Sequence, residues 1–525
     1  MKNFMEAIES VVEPSTFKHT TNGAVGYSTT NKPLLDLNFA VLSLRKASER
    51  DIFERFWKAY ECDRILAMTW LFYARDTREG LGERRLFRVI MKELARRDTQ
   101  TVKNVAPLIA EYGRWDDLID LITVGVMSDV IIDIVKNQLK EDIANMKANK
   151  SISLLAKWMP SINTSSEDTV EKANKLRIGL GLSYRQYRKT LSTLRRYLDV
   201  IECKMSARNW EAIDYEAVPS RANLIYNSAF LRNDENRRRE YLSALTKGKA
   251  KINSSVLFPH DIVHKCGLST DAALEGMWKA LPDLVKGNSS TLVVADGSGS
   301  MTTIIDRNSS VTALEVANAL AIYFAERARG QFENKYITFS SRPQLVNLNA
   351  GTLAGNLHIA KQHNEVANTN IEATFDLILN TAISNHMRQS DIPTNILIIS
   401  DMEFDSATNG SGWSWRSEQF ASPSKTLFST IAAKFRRAGY KMPRLVFWNV
   451  NSSTDTIPVR ENELGVALVS GFSPNVVKMV MSDKLDPWVA LIDILNDKRY
   501  DAVRNAISPI RGKRASISVF DEAWI

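Results

Sequence analysis

The hydrophobic periodicity of the chain changes near Pro282, and this change limits its architecture more than any single motif. From Leu34 to about Ala280 apolar residues recur at helical spacing, with Gly and Pro mainly between the helical stretches. After Pro282 short apolar runs alternate with helical stretches, which is typical of a parallel sheet covered by helices on both faces. Because 525 residues are also too many for a single core, the sequence predicts two parts of different fold class.

The predicted boundary lies in the polar segment KGNSS at residues 286–290. We expect an N-terminal extension at residues 1–33, an α-helical domain at 34–285 and an α/β domain at 286–525. Helices joined by short turns, as at residues 65–97, favour a HEAT-like solenoid or ring for the helical domain. The α/β domain should be Rossmann-like, with a central and mostly parallel sheet.

Apolar runs bounded by polar or Gly-rich residues mark the strands of that sheet. Two of the runs are joined by a short polar turn and therefore predict a hairpin at the sheet edge. Thr312 and Glu315 have the spacing of a capping box, in which each side chain satisfies a backbone donor of the other, so a helix begins there. The predicted strands are residues 291–295, 395–400, 445–450 and 465–470, and the predicted hairpin pairs 335–339 with 343–348.

The loop after the first of these strands, in TLVVADGSGSM, carries the most specific chemistry of the chain. In an open parallel sheet, ligands bind at the carboxyl ends of the strands. Carboxylate and hydroxyl oxygens from this loop, a later loop and the end of the strand NILIIS suit Mg²⁺ or Mn²⁺ better than zinc. The alternative is an ordinary Ser/Gly-rich loop with a helix-capping Asp. The predicted metal ligands are Asp296, Ser298, Ser300, Thr369 and Asp401.

This arrangement resembles the metal-ion-dependent adhesion site of von Willebrand factor type A (vWA) domains. Their pattern is Asp-x-Ser-x-Ser after the first strand, a Thr in a later loop and an Asp after a further strand. Asp296, Ser298 and Ser300 match the first element, and Asp401 matches the last. Thr369 matches the middle element, but the two residues before it are Ala and Asn in place of the usual two glycines. The resemblance implies a metal that bridges to a partner's acidic group and performs no reaction.

Two common catalytic loops are missing from the sequence. Neither Ser298 nor Ser300 has the flanking glycines of a nucleophile elbow, and no histidine is evidently supplied as their base. No GxxxxGK[ST] phosphate loop occurs. We therefore expect a protein without enzymatic activity.

The positive charge of the chain is concentrated in its helical part. The formal net charge is +8, yet residues 291–525 contain 23 bases and 23 acids. Residues 151–250 contain 18 bases against 11 acids. A basic domain joined to a neutral one favours a polyanionic partner, although a solvated basic face is the alternative.

The segment YRQYRKTLSTLRRYL predicts an amphipathic helix with one apolar and one basic face. Bases spaced along a helix can meet successive phosphates, and Tyr184 and Tyr187 could stack on unpaired bases. The alternative is a solvated face whose arginines pair with nearby acids. A second cluster, Arg237 to Arg239, lies among acids and should be neutralised locally. The predicted RNA contacts are Arg185, Arg188, Lys189, Arg195 and Arg196.

Several motifs extend a family resemblance over nearly the whole chain from about residue 34. They are ARDTREGLGERRLF (74–87), EYGRWDDL (111–118), AKWMPS (156–161), YRKTLSTLRRYL (187–198), NWEAIDYEAVPS (209–220), GKAKI (248–252) and ISDMEFD (399–405). The chain resembles a domain-of-unknown-function family of plant and phage proteins. Its domain order also resembles the Ro autoantigen family, in which a TROVE ring of HEAT-like helices is closed by a vWA domain. This resemblance implies binding of non-coding or misfolded RNA.

Two functions remain open from the sequence. The first is a non-enzymatic RNA-binding protein of the Ro-like type with a metal-dependent interaction domain, and the charge excess favours it. Its RNA would be structured or have single-stranded ends. The second is a protein–protein adhesion or assembly factor with the helical domain as a scaffold. The intact metal motif and the loop NGSGWSWRSEQF favour it, because Trp413 and Trp415 suit a docked protein partner.

The cysteines, the length of the apolar runs and the N-terminal residues indicate the cellular compartment of the protein. Cys62, Cys203 and Cys266 are widely separated and give neither a disulfide framework nor a CxxC metal site. No run of 18 apolar residues is present, and the N-terminus carries acids where a signal peptide would be basic and then apolar. We expect a cytoplasmic protein that does not span a membrane.

Overall fold

A computed structural model of the chain gives its architecture. The structure describes residues 17–19, 25–27, 30–254, 256–267, 271–285, 290–305, 309–364, 370–401, 423–451, 466–471 and 486–507. At 17–19, 25–27, 423–429 and 466–469 the backbone alone is described.

Helices and strands are numbered here in chain order. The first helices are α1 (Pro33–Phe39), α2 (Val41–Leu44), α3 (Glu49–Cys62), α4 (Arg64–Arg75), α5 (Arg84–Arg97), α6 (Thr99–Val105), α7 (Ile109–Tyr112), α8 (Trp115–Ile119), α9 (Ser128–Lys147), α10 (Leu155–Trp158), α11 (Glu167–Gly179) and α12 (Tyr184–Tyr197). They are followed by α13 (Ile201–Ser206), α14 (Ser220–Asn233), α15 (Glu235–Thr246), α16 (Pro259–Lys265), α17 (Ala272–Lys279), α18 (Ala313–Arg327), α19 (Leu353–Gln362), α20 (Ile371–Ser384), α21 (Pro423–Arg437), α22 (Pro487–Leu495) and α23 (Asp501–Ile507).

The strands are β1 (Phe17–His19), β2 (Val25–Tyr27), β3 (Thr291–Asp296), β4 (Lys335–Phe339), β5 (Leu345–Asn347), β6 (Asn395–Ser400), β7 (Arg444–Asn449) and β8 (Val466–Ser470). Short 3-10 turns lie at Ala106–Leu108, Asp120–Thr123, Gly125–Met127, Gly299–Thr302, Gly330–Phe332, Gln389–Asp391 and Lys498–Tyr500. Within the described ranges, no helix has the length and apolar character needed to cross a bilayer.

Contacts divide the chain into two compact units, each of which is discontinuous in sequence. The sheet unit comprises Met1–Ala47, Phe258–Asp271 and Pro282–Leu491. The helical unit comprises Ser48–Leu257, Ala272–Leu281 and Ile492–Ile525. The predicted domains, in contrast, are consecutive segments divided after residues 33 and 285. The difference arises because α16 packs on α18 in the sheet unit, whereas α23 packs on α4 and α6 in the helical unit.

In the helical unit, local signals start the helices and apolar faces hold them together. The side chains of Ser48, Asp63 and Asp98 accept hydrogen bonds from backbone amides at the starts of α3, α4 and α6. The ring of Phe72 in α4 packs edge-on against the ring of Phe87 in α5, with ring centroids 5.6 Å apart. The predicted helical character of this part of the chain is confirmed.

The turn between α4 and α5 depends on glycine. At Gly80 a Cβ atom would lie 1.9 Å from the carbonyl oxygen of Tyr73, so the turn packs too closely on α4 for any side chain there. Gly82 has a φ of 75°, a left-handed conformation that glycine adopts without strain. This turn sets α5 against α4, in the segment where the sequence predicts a helix pair.

The sheet unit contains a six-stranded sheet in the order β5-β4-β3-β6-β7-β8. Strands β4, β3, β6, β7 and β8 run parallel to one another, and β5 pairs antiparallel with β4 at the edge. The four predicted strands correspond to β3, β6, β7 and β8, and the predicted hairpin to β4 and β5. The mostly parallel sheet is therefore confirmed. The N-terminal segment adds the antiparallel pair β1 and β2, which the sequence did not indicate.

The central strands of the sheet are buried from their second residue onward, as is typical of a parallel sheet covered on both faces. Ile396 to Ile399 in β6 are fully buried, as are Leu445 to Trp448 in β7. Helix α18 packs on β3, β4 and β6, and the ring of its Phe324 contacts the Trp448 ring edge-on at 5.6 Å. The predicted capping box starts this helix, since Thr312 Oγ1 accepts from the Glu315 amide and Glu315 Oε2 from the Thr312 amide.

Candidate functional site

The first candidate site lies at the carboxyl edge of the sheet, where β3 and β6 end side by side. The register pairs Ala295 with Ile399, which brings Asp296 beside Ser400. Ser400 Oγ donates a hydrogen bond of 2.6 Å to Asp296 Oδ2. Asp401 follows Ser400 directly, and both Asp296 and Asp401 are 2 % exposed. Two buried carboxylates therefore lie at neighbouring strand ends.

The loop after β3 turns its hydroxyl groups together. The Ser298 amide donates to Asp296 Oδ1 at 2.9 Å, which folds the loop back over the strand end. Ser298 Oγ and Ser300 Oγ are 3.0 Å apart. Neighbouring ligands of an octahedral Mg²⁺, each about 2.1 Å from the ion, are also about 3.0 Å apart. The spacing of the two hydroxyls and the oxygen-only donor set therefore fit a hard divalent cation.

The structure brings together only part of the predicted ligand set. Asp296, Ser298 and Ser300 are adjacent, and Asp401 ends the neighbouring strand. Thr369 lies outside the described residues. Trp413 and Trp415, predicted to bind a partner, also lie outside them. Among the described residues, no group of three or more His, Cys, Asp or Glu side chains gathers around a possible metal position.

The same sheet edge contains buried amides that the sequence interpretation missed. Asn451 Nδ2 donates to Thr303 Oγ1 at 2.6 Å, and the Asn451 amide donates to Asn449 Oδ1 at 3.0 Å. Lys46 Nζ donates to Asn451 Oδ1 at 3.0 Å. Asn449 and Asn451 follow the apolar run of β7, and this position at a parallel strand end is the signal that could have identified them.

A histidine joins two helices of the sheet unit through hydrogen bonds at both ring nitrogens. His264 Nδ1 lies 3.0 Å from Glu315 Oε1, and His264 Nε2 lies 2.9 Å from Ser310 Oγ. This Ser–His–Glu order occurs in serine nucleophiles activated by a base. It does not involve Ser298 or Ser300, the serines that the sequence interpretation tested for a base.

The second candidate site is the basic face of α12 in the helical unit. A capping box starts the helix, because Ser183 Oγ accepts from the Gln186 amide at 3.3 Å and Gln186 Oε1 from the Ser183 amide at 2.8 Å. Leu191 and Leu194 bury the apolar face. Four of the five predicted RNA contacts are exposed and form no ion pair with any described residue: Arg185, Arg188, Lys189 and Arg196.

Arg195, the fifth predicted contact, is used by the fold. Its Nε and Nη2 donate to the carbonyl oxygens of Ala156 and Met159, each at 2.8 Å, and its Nη1 donates to Ser161 Oγ at 3.1 Å. Burial of this guanidinium lowers the pKa of Arg195. The residue therefore anchors the segment AKWMPS to α12, and its donors are committed within the helical unit.

The two tyrosines of the same helix also differ from the expectation that they stack on bases. Tyr187 is 1 % exposed, and its hydroxyl donates to the Pro160 carbonyl oxygen at 2.8 Å. Burial raises the pKa of Tyr187. The Tyr184 ring is exposed, but the Arg177 guanidinium lies 4.1 Å from its centroid and covers one face. Tyr187 thus belongs to the core, and Tyr184 offers a single face.

The cluster Arg237 to Arg239 is neutralised largely as its flanking acids predict. Arg237 pairs with Asp234 at 2.8 Å, and Arg239 pairs with Glu235 at 2.8 Å. Arg238 is buried, and its Nη2 donates to Asn227 Oδ1 at 2.8 Å. Arg237 and Arg238 therefore serve contacts within the helical unit, whereas Arg239 forms an exposed pair at the surface.

A cavity of about 750 Å³ lies beside α12 and α13 in the helical unit. Exposed cations of the basic face, Arg188 and Arg196, are among its lining residues. The other lining residues include apolar ones, two asparagines and an acid–base pair: Leu191, Val200, Ala207, Asn163, Asn209, Asp199 and Lys204. The sequence interpretation did not identify this cavity, because its walls combine residues 161–163 with residues between 187 and 212.

The motifs ARDTREGLGERRLF and EYGRWDDL meet in a charged cluster within the helical unit. Arg75 Nη2 pairs with Asp117 Oδ2 at 2.5 Å, with both side chains almost fully buried, and Arg88 Nε pairs with Asp117 Oδ1 at 2.6 Å. Burial alone would raise the pKa of the Asp117 carboxyl, but Arg75 and Arg88 outweigh it and lower that pKa. Asp76 receives hydrogen bonds from Arg499 and Tyr500, which hold the C-terminal segment to this unit.

Two family models match parts of the chain. The family described as Domain of unknown function (DUF7788) matches residues 290–509, and the family described as Domain of unknown function (DUF2828) matches residues 166–281. The predicted resemblance to a domain of unknown function is therefore confirmed in part, since two such families match and each covers a separate part of the chain. Neither match covers half of the chain, and neither description names an activity.

Similar proteins were also found among curated sequences and solved structures. The "Uncharacterized protein L728" of Acanthamoeba polyphaga mimivirus is 28% identical over 517 residues, which cover 91% of this chain and 86% of that protein. The Deinococcus radiodurans RO (RSR) protein aligns with a TM-score of 0.39 and 13% identity, covering 82% of this chain and 92% of that chain. The chain is therefore similar to a viral protein and to two domain families whose descriptions assign no function.

Proposed function

We propose that this protein binds RNA through the basic face of α12. The observation that carries the proposal is the group of exposed cations on this helix, which has five bases and no acid in its sequence. Arg185, Arg188, Lys189 and Arg196 have no ion-pair partner among the described residues, so they are free to replace the counterions of a phosphate backbone. RNA with unpaired ends or loops is the preferred partner, because a single strand can follow one helix and expose its bases.

The test is the salt dependence of RNA binding by the full chain. Each phosphate contact on a single strand contributes roughly 0.7 to the slope of log affinity against log salt, so four contacts contribute about 3. Replacing Arg185, Arg188, Lys189 and Arg196 together by Gln should flatten the slope by up to that amount and weaken binding. Arg195 is excluded from the set because it anchors the fold.

A charge-matched control separates this face from net charge. Lys58, Arg232, Lys247 and Lys249 are exposed in the same unit, and none of them lines the cavity. Replacing these four by Gln removes the same charge and should leave most of the slope intact. Equal slopes for the wild type and the α12 variant, or equal losses for the two variants, would refute the proposal.

In the sheet unit we propose a Mg²⁺ or Mn²⁺ site formed by Asp296, Ser298, Ser300, Thr369 and Asp401. The 3.0 Å separation of the two serine hydroxyls and the pair of buried carboxylates support it. A cation held there would leave positions for water or for an acidic side chain of a protein partner. If the protein is an adhesion factor and not an RNA-binding protein, this site is where its partner docks.

Titration calorimetry with Mg²⁺ and Mn²⁺ tests the metal site. Asp296→Ala should reduce the affinity by more than about 100-fold, since loss of even an outer-sphere partner costs about 10- to 100-fold. Asp391→Asn removes an acid from a 3-10 turn of the same unit and serves as the matched control. Equal affinities of the wild type and Asp296→Ala would refute the site.

We further propose that the protein has no hydrolytic activity, including at Ser310. An acyl-transfer site needs free backbone donors next to its nucleophile. The Val311 amide donates to Ser309 Oγ at 3.1 Å and the Thr312 amide donates to Glu315 Oε2 at 2.9 Å, so both are committed. A fluorophosphonate probe should therefore fail to label Ser310. Labelling that disappears in both Ser310→Ala and His264→Ala would overturn this proposal.

A further inference from the structure

The cavity beside α12 offers recognition chemistry that the exposed cations alone do not provide. Its apolar walls include Leu191, Val200 and Ala207. Asn163 and Asn209 also line it, and the side-chain amide of neither has a hydrogen-bond partner among the described residues. The cavity therefore joins apolar surface to unused hydrogen-bonding groups, next to a helix with unpaired cations.

We infer that this cavity receives an unpaired nucleobase, an inference that rests on the proposed binding of RNA to α12. A nucleobase has flat apolar faces, which suit the aliphatic walls, and donor and acceptor edges, which suit side-chain amides. Its flanking phosphates would meet Arg188 and Arg196, which line the cavity from α12. A volume of about 750 Å³ accommodates a base with its sugar and lies within the usual range of ligand pockets.

The cations at the cavity differ in their availability, and this favours a nucleotide over a fatty acid. Lys204 Nζ is committed to Asp199 at 2.6 Å and to the Ala212 carbonyl oxygen at 2.7 Å, and Arg195 is committed to the AKWMPS segment. Arg188 and Arg196 remain, eight residues apart on one helix and therefore able to meet two phosphates. A fatty acid would need one cation and would leave both amides unpaired.

A cysteine in the cavity allows the inference to be tested without a core substitution. Cys203 lines the cavity and is exposed, whereas Cys62 is also exposed in the same unit and does not line it. Two full-length single-cysteine proteins are prepared: one keeps Cys203 and carries Cys62→Ser and Cys266→Ser, and the other keeps Cys62 and carries Cys203→Ser and Cys266→Ser. Each is measured before and after reaction with a pyrene maleimide, which would fill the cavity from Cys203.

The probes are a short single-stranded RNA of mixed sequence and a blunt RNA duplex of the same composition. Modification at Cys203 should weaken single-strand binding about tenfold or more, because a bidentate side-chain amide contact to a base edge alone contributes about 1–3 kcal/mol. It should affect the duplex much less, because a paired base cannot enter. Modification at Cys62 should leave both affinities unchanged. The single strand should also slow the reaction of maleimide at Cys203 and not at Cys62.

The other outcomes overturn the inference, and they distinguish it from the proposed function. If both proteins bind RNA and modification at Cys203 has no effect, or weakens duplex and single strand equally, the base is not in the cavity while RNA binding stands. If neither RNA binds the unmodified proteins, the proposed function fails and the inference fails with it. If a fatty acid protects Cys203 and RNA does not, the cavity takes a hydrophobic anion instead.

Discussion

Helices α5 and α12 are both amphipathic and arginine-rich, yet they use their bases in opposite ways. In α5, Arg84 and Arg88 pair with Asp116 and Asp117, Lys92 pairs with Asp120, and Arg96 and Arg97 pair with Glu93. In α12, four of five bases have no ion-pair partner among the described residues, and the fifth holds a loop.

The difference comes from what lies opposite each helix. The acidic segment EYGRWDDL packs beside α5 and supplies Asp116 and Asp117, and the turn that follows it supplies Asp120. The segment beside α12, in contrast, supplies carbonyl oxygens to one arginine only. The number of bases on a helix therefore does not tell whether they serve the fold or a partner. The contacts of each base decide whether it serves the fold or a binding partner. Substitutions in α5 should therefore lower the stability, and substitutions in α12 should weaken the binding of RNA.

The largest effect is expected from breaking the buried cluster at α5. Asp117→Asn leaves Arg75 buried without its carboxylate partner, which should lower the free energy of unfolding by about 3–5 kcal/mol. Chemical denaturation of the full chain measures this. Asp133→Asn, at an exposed position of α9, is the control and should change the free energy by less than about 0.5 kcal/mol. A stability of Asp117→Asn equal to that of the control would contradict the structural role of α5.

The charged cluster at α5 also predicts how the free energy of unfolding depends on pH. Burial would raise the pKa values of Asp117 and Asp120, but their cationic partners outweigh it and lower both. The stabilisation is therefore complete above the unfolded pKa of about 3.9 and is lost as the pH falls through the lower folded pKa values, by up to about 1.4 kcal/mol per unit for each group. Below pH 4, the free energy of unfolding should fall more steeply with decreasing pH for the wild type than for Asp117→Asn. Parallel pH profiles would show that Asp117 is not held in its charged form.

A smaller effect should single out Arg195 within α12. Arg195→Gln removes donors from Ala156, Met159 and Ser161, which should cost about 1–3 kcal/mol of stability. Arg196→Gln, one residue along, is the matched control and should leave the free energy of unfolding almost unchanged. If the two variants were equally stable, Arg195 would belong with the exposed face.

The smallest effect on stability is expected for the exposed bases of α12, whose substitution should weaken RNA binding most. The fourfold Gln variant of Arg185, Arg188, Lys189 and Arg196 should unfold within about 0.5 kcal/mol of the wild type, because exposed side chains without partners contribute little. Denaturation of the same preparations used for RNA binding measures this. A large loss of stability would mean that these cations serve the fold, as in α5.

Strands and loops were predicted correctly from the sequence where a single local pattern determines them. The apolar runs of β3, β6 and β7 are buried on both sides, so their composition alone identified them, and the loop after β3 follows from the end of such a run. The proximity of Ser298 and Ser300 also follows from their spacing in one loop.

The sequence failed where a contact joined distant segments. Arg195 and Arg196 are neighbours with the same chemistry, and only the carbonyl oxygens of Ala156 and Met159 distinguish them. Nothing local showed that the C-terminal segment at Arg499 pairs with Asp76. His264 could not be linked to Ser310, because α16 packs on α18 across 46 residues of chain.

Ultraviolet crosslinking of single-stranded RNA to the wild-type protein, with mass-spectrometric mapping of the attached peptides, tests the central claim most directly. The predicted result is attachment within residues 184–212, which cover α12 and the cavity segments from Val200 to Ala212, and not within α5. Crosslinks that fall mainly in α5, or that persist at full yield in the fourfold α12 variant, would contradict it.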